Sequence, residues 1–581
     1  MGWPYEFVTL TDEEKHRRRE SLDYYGAIAH YSLIAPLLGL IIFKLLRLAV
    51  ARVSGGSSSG GTGSGSYHRV PGSPTIKAHR GGLTGSLAQK WTKLTWWMSD
   101  DVRLLGQDWG QRDQWILGTA WTLWLLVLCV AGTGKDFLHL TKRFGIVAVS
   151  QLPAQYILAL KAINPLSLTL NTSHERVNRY HRVLGRITYG LLLVHIILYN
   201  IFFIESGIWV KRFFAPVVFA GVVASFGMHA LNGTALRAVR QWSYRVFFVT
   251  HLMTAMFVPW LIFFHAPPVR LYVVEAALIF TIDLAVRKTT SVTAQATLET
   301  VPGTDLVKVS IPVPPKKTRQ YLARPASHVY LSIPPENRPA TNASIFDFLY
   351  NPFTVASVDD KSDAVSLVLR RHAGPMTSHL GNLAASSSST SSTSTETKFA
   401  LTVEGPYGEA SLTFPEFLVT GGAHRVLLFA GGVGATFAVP IYNALVADWP
   451  STKVKLIWAI RAAADATWAV SLPSSTATED GKSLLDDDNV QLFLTGDMGH
   501  DAPAAPSAAA TGVEMSDLRR RNTRRPDITK IVDDTFRLGQ GETVAVMVCG
   551  PLGMTQDVRR AVRPWVMKGR TVWWHEESFG W

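Results

Sequence analysis

Four histidines in two apolar stretches share a spacing that suits metal chemistry. His181 and His195 lie fourteen residues apart in the stretch 181–204, and His251 and His265 lie fourteen apart in the stretch 244–266. At about 100° and 1.5 Å per residue, the members of each pair share a helix face and are about 21 Å apart. Imidazole is a common axial ligand of haem iron, and one histidine from each helix would complete a six-coordinate, electron-carrying iron. Two such helices could therefore hold two stacked haems.

The apolar residues indicate a membrane region followed by a more polar half. The chain has 581 residues, of which 47% are hydrophobic, and its long apolar runs are concentrated before residue 290. A run of about 20 apolar residues is long enough to cross a hydrocarbon core of about 30 Å. The hydropathy pattern predicts seven membrane spans, at 26–47, 114–132, 145–164, 181–204, 212–231, 244–266 and 269–288.

The distribution of Lys and Arg predicts the orientation of these spans. Basic residues are concentrated in the segment between the first two spans and in the later loops on the same side, which is typical of cytosolic loops. This places the C-terminal half in the cytosol and the N-terminus outside. The basic residues between Lys15 and Arg19 conflict with an external N-terminus, because basic residues are typical of the cytosolic side. If the first span only lies on the membrane surface, the N-terminal tail would be cytosolic.

The charge and cysteine content argue against other classes of protein. The net charge of +13 comes from basic residues that flank the spans and do not form a patch interleaved with aromatic residues, so we expect no nucleic-acid partner. The two cysteines, Cys129 and Cys549, provide neither a disulfide framework nor a metal site.

Beyond residue 290 the pattern predicts two further folds. Short alternating apolar runs separated by Pro and Gly indicate an antiparallel barrel. From about residue 424, an apolar strand, the Gly-rich turn 431–436 and a helix are followed by further strands, which is typical of an α/β nucleotide-binding domain with a parallel sheet. The turn brings main-chain N–H groups and a helix N-terminus together, where a pyrophosphate would bind. Its spacing differs from the G-x-G-x-x-G dinucleotide motif.

Several motifs occur in a specific order in this half. They are Asn351–Ser357 (NPFTVAS), Arg371–Gly374 with Thr377, Gly405–Gly408 (GPYG), Gly431–Thr436 (GGVGAT), Cys549–Pro551 (CGP) and the ending Glu576–Trp581 (EESFGW). Together they resemble the fungal ferric-chelate reductases, which belong to a superfamily shared with the NADPH oxidases. The resemblance runs from about residue 110 to the terminus.

The resemblance implies a multi-pass α-helical haem-binding membrane domain fused to a ferredoxin-reductase-like module. That module would consist of an antiparallel β-barrel for FAD and an α/β domain for NADPH. The expected domains are an N-terminal tail, extra helix and flexible cytosolic linker over 1–110, a six-helix haem domain over 111–290, the FAD barrel over 291–418 and the NADPH domain over 419–581. The Gly/Ser-rich segment 54–66 is the basis of the expected linker.

The resemblance also implies the residues that bind FAD. Pro352, Phe353 and Thr354 would line the isoalloxazine, with Ser357 in the same motif. Arg371, with Gly374 and Thr377, suits the pyrophosphate, because a guanidinium offers paired donors to phosphate. The turn of Gly405, Pro406, Tyr407 and Gly408 would let the main chain approach the cofactors. The sequence departs from the family at Asn351, where histidine is usual; we expect flavin binding to survive, with altered charge near the adenine or ribose.

The resemblance also implies that two segments bind the pyridine nucleotide. They are the Gly-rich turn, with Gly431, Gly432, Gly434 and Thr436, and the strand end at Cys549, Gly550 and Pro551. Cys549 and Gly550 would face the nicotinamide. Arg461 ends the next strand, where arginine favours a 2′-phosphate and hence NADPH. The terminal Trp581 would stack on the flavin until nicotinamide displaces it, and Phe579 is the competing candidate for that position.

Together with the histidine spacing, the resemblance thus implies an electron path across the plasma membrane with NADPH, FAD and two b-type haems. His181 with His251 would hold the inner haem, and His195 with His265 the outer haem. Ferric or cupric chelates outside the cell would be the acceptors, with iron or copper transporters as expected partners; the oligomeric state stays open. The alternative is a superoxide-generating NADPH oxidase. In oxidases the second haem helix spaces its histidines one residue closer, so the equal spacing favours the metal reductase.

Overall fold

The structure is a computed structural model that describes residues 4–55, 83–104, 107–339, 343–389, 397–470, 484–496 and 525–577. The chain forms two compact units, Met1–Gly65 with Trp96–Thr289 and Ser66–Thr95 with Thr290–Trp581. Residues 56–66 of the predicted Gly/Ser-rich segment 54–66, and the terminal residues Phe579 and Trp581, lie outside the described residues.

The first unit is helical apart from one small hairpin. Its helices and strands, in chain order, are α1 (Asp12–Gly55), α2 (Leu83–Met98), β1 (Asp101–Leu104), β2 (Gln107–Gln111), α3 (Arg112–Val130), α4 (Phe137–Val149), α5 (Leu152–Ile157), α6 (Pro165–Leu170), α7 (His174–Glu205), α8 (Trp209–Phe213), α9 (Pro216–Thr234), α10 (Arg237–Trp242), α11 (Tyr244–His265) and α12 (Arg270–Thr290), with α2 divided between the two units. Helix α4 packs against α7, and α9 packs against α11. The core between them contains Leu125, Leu191 and Val258.

Among the described residues, five helices are long and apolar enough to cross a membrane. They are Asp12–Leu46, Arg112–Val130, His174–Glu205, Pro216–Thr234 and Tyr244–His265. Each coincides with one of the seven predicted spans.

The predicted spans 145–164 and 269–288 do not meet the same criterion. The first is divided between α4 and α5. The second is the continuous helix α12, which contains Glu275 and Asp283 within its apolar stretch. Asp283 is buried and its carboxylate accepts the N–H groups of Ala162 and Ile163 at 2.9 and 3.2 Å. This charge is thereby compensated by the loop that follows α5.

The second unit contains a closed six-stranded barrel. Its strands β3 (Val292–Thr300), β4 (Leu306–Pro312), β5 (His328–Ser332), β6 (Asn351–Asp359), β7 (Ala364–Arg370) and β8 (Lys398–Tyr407) close in the order β3-β4-β7-β6-β5-β8, and α13 (Pro315–Leu322) and α14 (Pro375–Ser389) lie in its connections. All pairings are antiparallel; Val309, for example, pairs with Leu367, and both side chains are fully buried. The predicted antiparallel barrel is confirmed.

A parallel five-stranded sheet follows the barrel. Its elements are α15 (Ala410–Gly421), β9 (Arg425–Gly431), α16 (Ala435–Asp448), β10 (Lys453–Ile460), α17 (Thr467–Val470), β11 (Val490–Leu494), α18 (Ile528–Leu538), β12 (Val544–Cys549), α19 (Leu552–Met567) and β13 (Val572–Glu577), with the strand order β11-β10-β9-β12-β13. The central strands are continuous apolar runs because both of their faces are buried. The predicted α/β domain is confirmed, and β9 at its centre delivers the Gly-rich turn to the carboxyl edge of the sheet.

Candidate functional site

The four predicted histidines lie on two capped helices of the first unit. Helix α7 begins after Ser173, whose side chain accepts the N–H of Arg176, and α11 begins after Ser243, whose side chain accepts the N–H of Val246. His181 and His195 lie within α7, whereas His251 lies within α11 and His265 is its last residue.

Three of the four imidazoles are held by main-chain carbonyls of neighbouring segments. The Nδ1–H of His181 is donated to the carbonyl of Gln155 at 2.9 Å, that of His195 to Thr141 at 2.8 Å, and that of His265 to Val217 at 2.7 Å. A carbonyl oxygen only accepts, so each of these rings has a proton on Nδ1, and Nε2 is the nitrogen that can offer a lone pair. This is the tautomer in which Nε2 can bind a metal.

The fourth histidine completes one close pair of rings. The ring centres of His181 and His251 are 5.9 Å apart, with an angle of 63° between the ring planes. The Nδ1 atom of His251 is buried and has no hydrogen-bond partner. The amide nitrogen of Gln155 lies 3.4 Å from Nε2 of His181.

Several residues around the histidines had not been predicted. Gln155, Thr141 and Val217 contribute main-chain oxygens, which carry no side-chain signal. Gly145 and Gly221 lie directly against the rings of His195 and His265. The two glycines lie at different sequence distances from the histidines they contact, so their spacing carries no signal that identifies them.

In the second unit, the Gly-rich turn has the predicted strand-turn-helix form. Gly431 ends β9, a 3-10 turn covers Gly432–Gly434, and α16 follows. Gly432 has a φ of +55°, and the indole N–H of Trp458 donates to its carbonyl at 3.0 Å. The Thr436 hydroxyl donates to the carbonyl of Val433 at 2.9 Å, within the same turn. The turn is therefore closed by its own residues and by β10.

The second predicted nucleotide-binding segment lies beside this turn. Strand β12 pairs with β9, and Cys549 is opposite Ala430. A Cβ atom at Gly434 would overlap the carbonyl oxygen of Cys549, and one at Gly431 would lie 2.6 Å from Cδ of Pro551 and 3.2 Å from Cα of Gly550. Only glycine therefore allows the two segments to approach this closely. Arg461 directly follows β10 at the same edge of the sheet, and it is exposed to solvent.

Cys549 is a buried thiol. Burial raises its pKa above the ordinary value, and the carboxylate of Glu577 raises it further. Glu577 is paired with Cys549 across β12 and β13, and its carboxylate is 2.8 Å from Nε2 of His575. The His575 ring is stacked on Phe437 with ring centres 5.5 Å apart. His575 and Glu577 had not been predicted.

The NPFT motif forms the start of barrel strand β6. Asn351 pairs with Leu331, Phe353 packs partly buried against the barrel core, and Thr354 is buried opposite His328. Pro352 is half-buried, whereas the hydroxyl of Ser357 is buried without a hydrogen-bond partner.

The structure brings Arg371, Gly374 and Thr377 together in one turn. The Thr377 hydroxyl donates to the carbonyl of His372 at 3.2 Å and also lies 3.2 Å from the His372 nitrogen. The guanidinium of Arg371 donates to the side chain of Asn382 at 3.1 Å, and Arg371 is exposed. Thr377 thus closes the turn from which Arg371 projects.

The GPYG motif ends barrel strand β8. Gly405 and Gly408 have φ angles of +153° and +130°, and a Cβ at Gly405 would lie 3.1 Å from the carbonyl oxygen of His328. The Tyr407 hydroxyl donates to Glu404 at 2.7 Å, and the Lys317 ammonium donates to the Gly405 carbonyl at 2.5 Å. Burial lowers the pKa of Lys317, while Glu404 opposes that shift. Pro406 follows Gly405 through a cis peptide bond.

Comparison with known proteins identifies the same three parts. The family described as "Ferric reductase like transmembrane component" matches residues 144–262, an "FAD-binding domain" matches 290–411, and a "Ferric reductase NAD binding domain" matches 423–563. His181, His195 and His251 lie within the first match, whereas His265 lies three residues beyond its last residue.

Fungal relatives match most of the chain. The "Probable metalloreductase AIM14" of Meyerozyma guilliermondii is 25% identical over 75% of this chain and 84% of its own length. The "Ferric/cupric reductase transmembrane component 2" of Schizosaccharomyces pombe is 24% identical over 75% of this chain and 80% of its own length.

Among solved structures, the flavohemoglobin from Malassezia yamatoensis is 13% identical, with 74% of this chain and 96% of that chain covered and a TM-score of 0.33. The ferredoxin reductase in carbazole 1,9a-dioxygenase is 14% identical, with coverages of 49% and 69% and a TM-score of 0.30. Because both TM-scores are below 0.5, the assignment depends on the family matches and the fungal relatives. The chain is an integral membrane oxidoreductase with a ferric reductase-like transmembrane region and FAD- and NAD-binding domains, and it is similar to fungal metalloreductases and ferric/cupric reductases.

Proposed function

We propose that this protein is a plasma-membrane ferric- or cupric-chelate reductase that oxidises cytosolic NADPH and reduces metal outside the cell. FAD and two b-type haems are its cofactors. His181 with His251 hold the inner haem, and His195 with His265 hold the outer haem. The reduced metal would be available to iron or copper transporters in the same membrane.

The observation that carries this proposal is the geometry of the histidines. With metal–imidazole bonds of about 2.0–2.1 Å, two rings on opposite sides of one iron have centres about 6 Å apart. The separation of 5.9 Å between His181 and His251 fits this value. The Nδ1–H donation of His181, His195 and His265 directs Nε2 of each ring away from the carbonyl, although Nε2 of His181 also lies 3.4 Å from the Gln155 amide nitrogen. The partnerless Nδ1 of His251 is compatible with an Nε2 ligand. The geometry of His181 and His251 therefore fits one bis-histidine haem, and the Nδ1–H donation of His195 and His265 is compatible with the second.

The second unit supplies a matching site for the nucleotides. The Gly-rich turn and the start of α16 offer main-chain donors to the NADPH pyrophosphate, and the exposed Arg461 is available for a 2′-phosphate. Cys549 and Gly550 would border the nicotinamide site. Trp581 would stack on the flavin, with Phe579 the competing candidate, and both of these residues lie outside the described part of the chain. Arg371 and the turn closed by Thr377 suit the FAD pyrophosphate. The GPYG turn excludes side chains where the main chain approaches the flavin.

When bound, FAD supplies the conversion of two-electron to one-electron chemistry, and haem supplies one-electron transfer. The residues named above bind and orient these groups. The relatives are named as metalloreductases and ferric/cupric reductases. No observation on the described residues favours the oxidase alternative.

The deciding experiment compares two products of NADPH oxidation in membranes that contain the full chain. Ferrous iron production from a ferric chelate should be NADPH-dependent and insensitive to superoxide dismutase, with little superoxide formed. A reduced-minus-oxidised spectrum should show a b-type haem band. Absence of that band, or ferrous iron production that superoxide dismutase abolishes, would overturn the proposal.

Histidine variants provide the matched control. His265→Ala should remove ferrous iron production, because one of the two histidines that would hold the outer haem is lost. His229→Ala, at an exposed position on α9 where the ring packs edge-on against Tyr189 with ring centres 5.7 Å apart, should retain it. Full turnover by His265→Ala would be incompatible with the proposal.

A further inference from the structure

The two histidines of the outer pair lie directly against glycines of neighbouring helices. A Cβ atom at Gly145 of α4 would lie 2.7 Å from both Cε1 and Nδ1 of His195. A Cβ atom at Gly221 of α9 would lie 2.5 Å from Cε1 and 2.6 Å from Nδ1 of His265. Cβ atoms essentially never approach other atoms within 3.0 Å, so an alanine at either position would require the ring or the helix to move.

Each glycine is combined with a hydrogen-bond acceptor at the same interval. His195 donates to the carbonyl of Thr141, four residues before Gly145, and His265 donates to the carbonyl of Val217, four residues before Gly221. Residues four apart lie on one face of a helix. The hydrogen bond from Nδ1 to the carbonyl fixes the orientation of the ring. The absence of a Cβ atom at the glycine allows the ring to lie close to the helix.

This arrangement is confined to the outer pair. His181 also donates to a carbonyl, that of Gln155, but the residue four positions later is Ala159. The Nδ1 atom of His251 has no partner. Two different helix pairs, α4 with α7 and α9 with α11, therefore present the outer imidazoles in the same way, and the inner imidazoles are held differently.

We propose that Gly145 and Gly221 are positioning residues for the outer haem ligands. The proposal rests on the proposed function, because it requires His195 and His265 to bind iron. Alanine at either glycine displaces the imidazole and lengthens or breaks its Nδ1–H donation, so that Nε2 is no longer presented in the ligating direction. A hydrogen bond to the distal nitrogen also sets the basicity of a ligating imidazole, so the redox potential of the outer haem changes with it.

The test uses Gly145→Ala and Gly221→Ala in the full-length protein. Gly190→Ala in α7 and Gly233→Ala in α9 are matched controls, because nothing lies within 4 Å of a Cβ at either position. The haem-to-flavin ratio, the low-spin haem spectrum and the potentiometric titration are recorded for each variant. We expect the two test variants to lose the outer haem or shift its titration component, with the inner component unchanged. Both controls should match the wild type.

Retention of both haem components at wild-type potentials in Gly145→Ala and Gly221→Ala would overturn the proposal. The proposed function fails separately: in that case His195→Ala and His265→Ala would themselves retain both components. The two failures are thus distinguishable on the same titration.

If Gly145→Ala and Gly221→Ala do not fold into stable protein, chemical rescue with imidazole provides a second test. His195→Gly removes the ring with which a new Cβ would collide, and added imidazole should restore the outer haem component. In the double variant His195→Gly/Gly145→Ala, the Cβ occupies the imidazole site, so restoration should require about tenfold more imidazole. Equal imidazole requirements in the two variants would contradict the positioning role.

Discussion

The guanidinium of Arg370 lies 3.1 Å from the carboxylate of Asp465. Arg370 is the last residue of barrel strand β7, and Asp465 lies in the 3-10 helix Ala463–Ala466 that follows β10. The ion pair therefore connects the FAD-binding barrel with the NAD-binding sheet. Both side chains are largely removed from solvent, with exposed fractions of 27% and 10%, so the pair is less screened than a surface contact.

Asp465→Ala is expected to destabilise the second unit by about 1–3 kcal/mol, since it leaves the partly buried guanidinium without its partner. Thermal unfolding followed by flavin fluorescence should show a lower midpoint. The control is Asp557→Ala, which removes an exposed pair with Arg560 and should change stability by less than about 0.5 kcal/mol. Equal effects of the two substitutions would contradict a role for Arg370–Asp465 in joining the domains.

Gly434→Ala should slow flavin reduction by NADPH at least about tenfold, because its Cβ would overlap the Cys549 carbonyl and force the two nucleotide-binding segments apart. Stopped-flow measurement of flavin absorbance gives this rate. Haem reduction by dithionite should stay normal, as the membrane unit is not altered. Gly553→Ala, where nothing lies within 4 Å of the new Cβ, is the control and should reduce flavin at the wild-type rate. A normal rate in Gly434→Ala would show that the close contact is dispensable.

Arg461→Ala should raise the KM for NADPH about tenfold and leave the KM for NADH almost unchanged, since only NADPH offers a 2′-phosphate to the guanidinium. Steady-state kinetics with both nucleotides measure the ratio. Lys453 lies at the opposite end of strand β10 and is 64% exposed, so Lys453→Ala should change neither constant. If Arg461→Ala raised both KM values equally, the arginine would not be the determinant of NADPH preference.

The buried Cys549 thiol should resist alkylation in the folded protein. Burial and Glu577 raise its pKa above the ordinary 9.0, so the reactive thiolate is suppressed. Mass spectrometry after iodoacetamide treatment at pH 8 should find this residue modified only after unfolding. Rapid alkylation of the native protein would contradict its burial.

The raised pKa of Cys549 also makes the free energy of unfolding depend on pH. Between pH 9 and the raised folded pKa, the unfolded thiol has lost its proton while the folded thiol retains it, so the folded state binds more protons and stability falls as pH rises. Below pH 9 both states are protonated and this contribution is constant. The thermal midpoint should therefore decrease more steeply above pH 9 in the wild type than in Cys549→Ala.

Local sequence determined much of the architecture. Apolar alternation separated by Pro and Gly was sufficient to predict the barrel, and an apolar strand followed by a Gly-rich turn and a helix was sufficient for the α/β domain, since both patterns reflect burial within single elements. The spacing of fourteen residues placed His181 and His195 on one helix face for the same reason. The span at 145–164 was less predictable, because hydropathy does not reveal where α4 ends and α5 begins.

Only the tertiary structure decided which atoms hold the histidines. Thr141, Gln155 and Val217 contribute main-chain carbonyls from other helices, and any residue type could provide such an oxygen. Gly145 contacts His195 across fifty positions of sequence because α4 packs against α7, and no periodicity within either helix specifies that contact. The chain thus carries the ligands in its local pattern, whereas their tautomer and orientation depend on packing between helices.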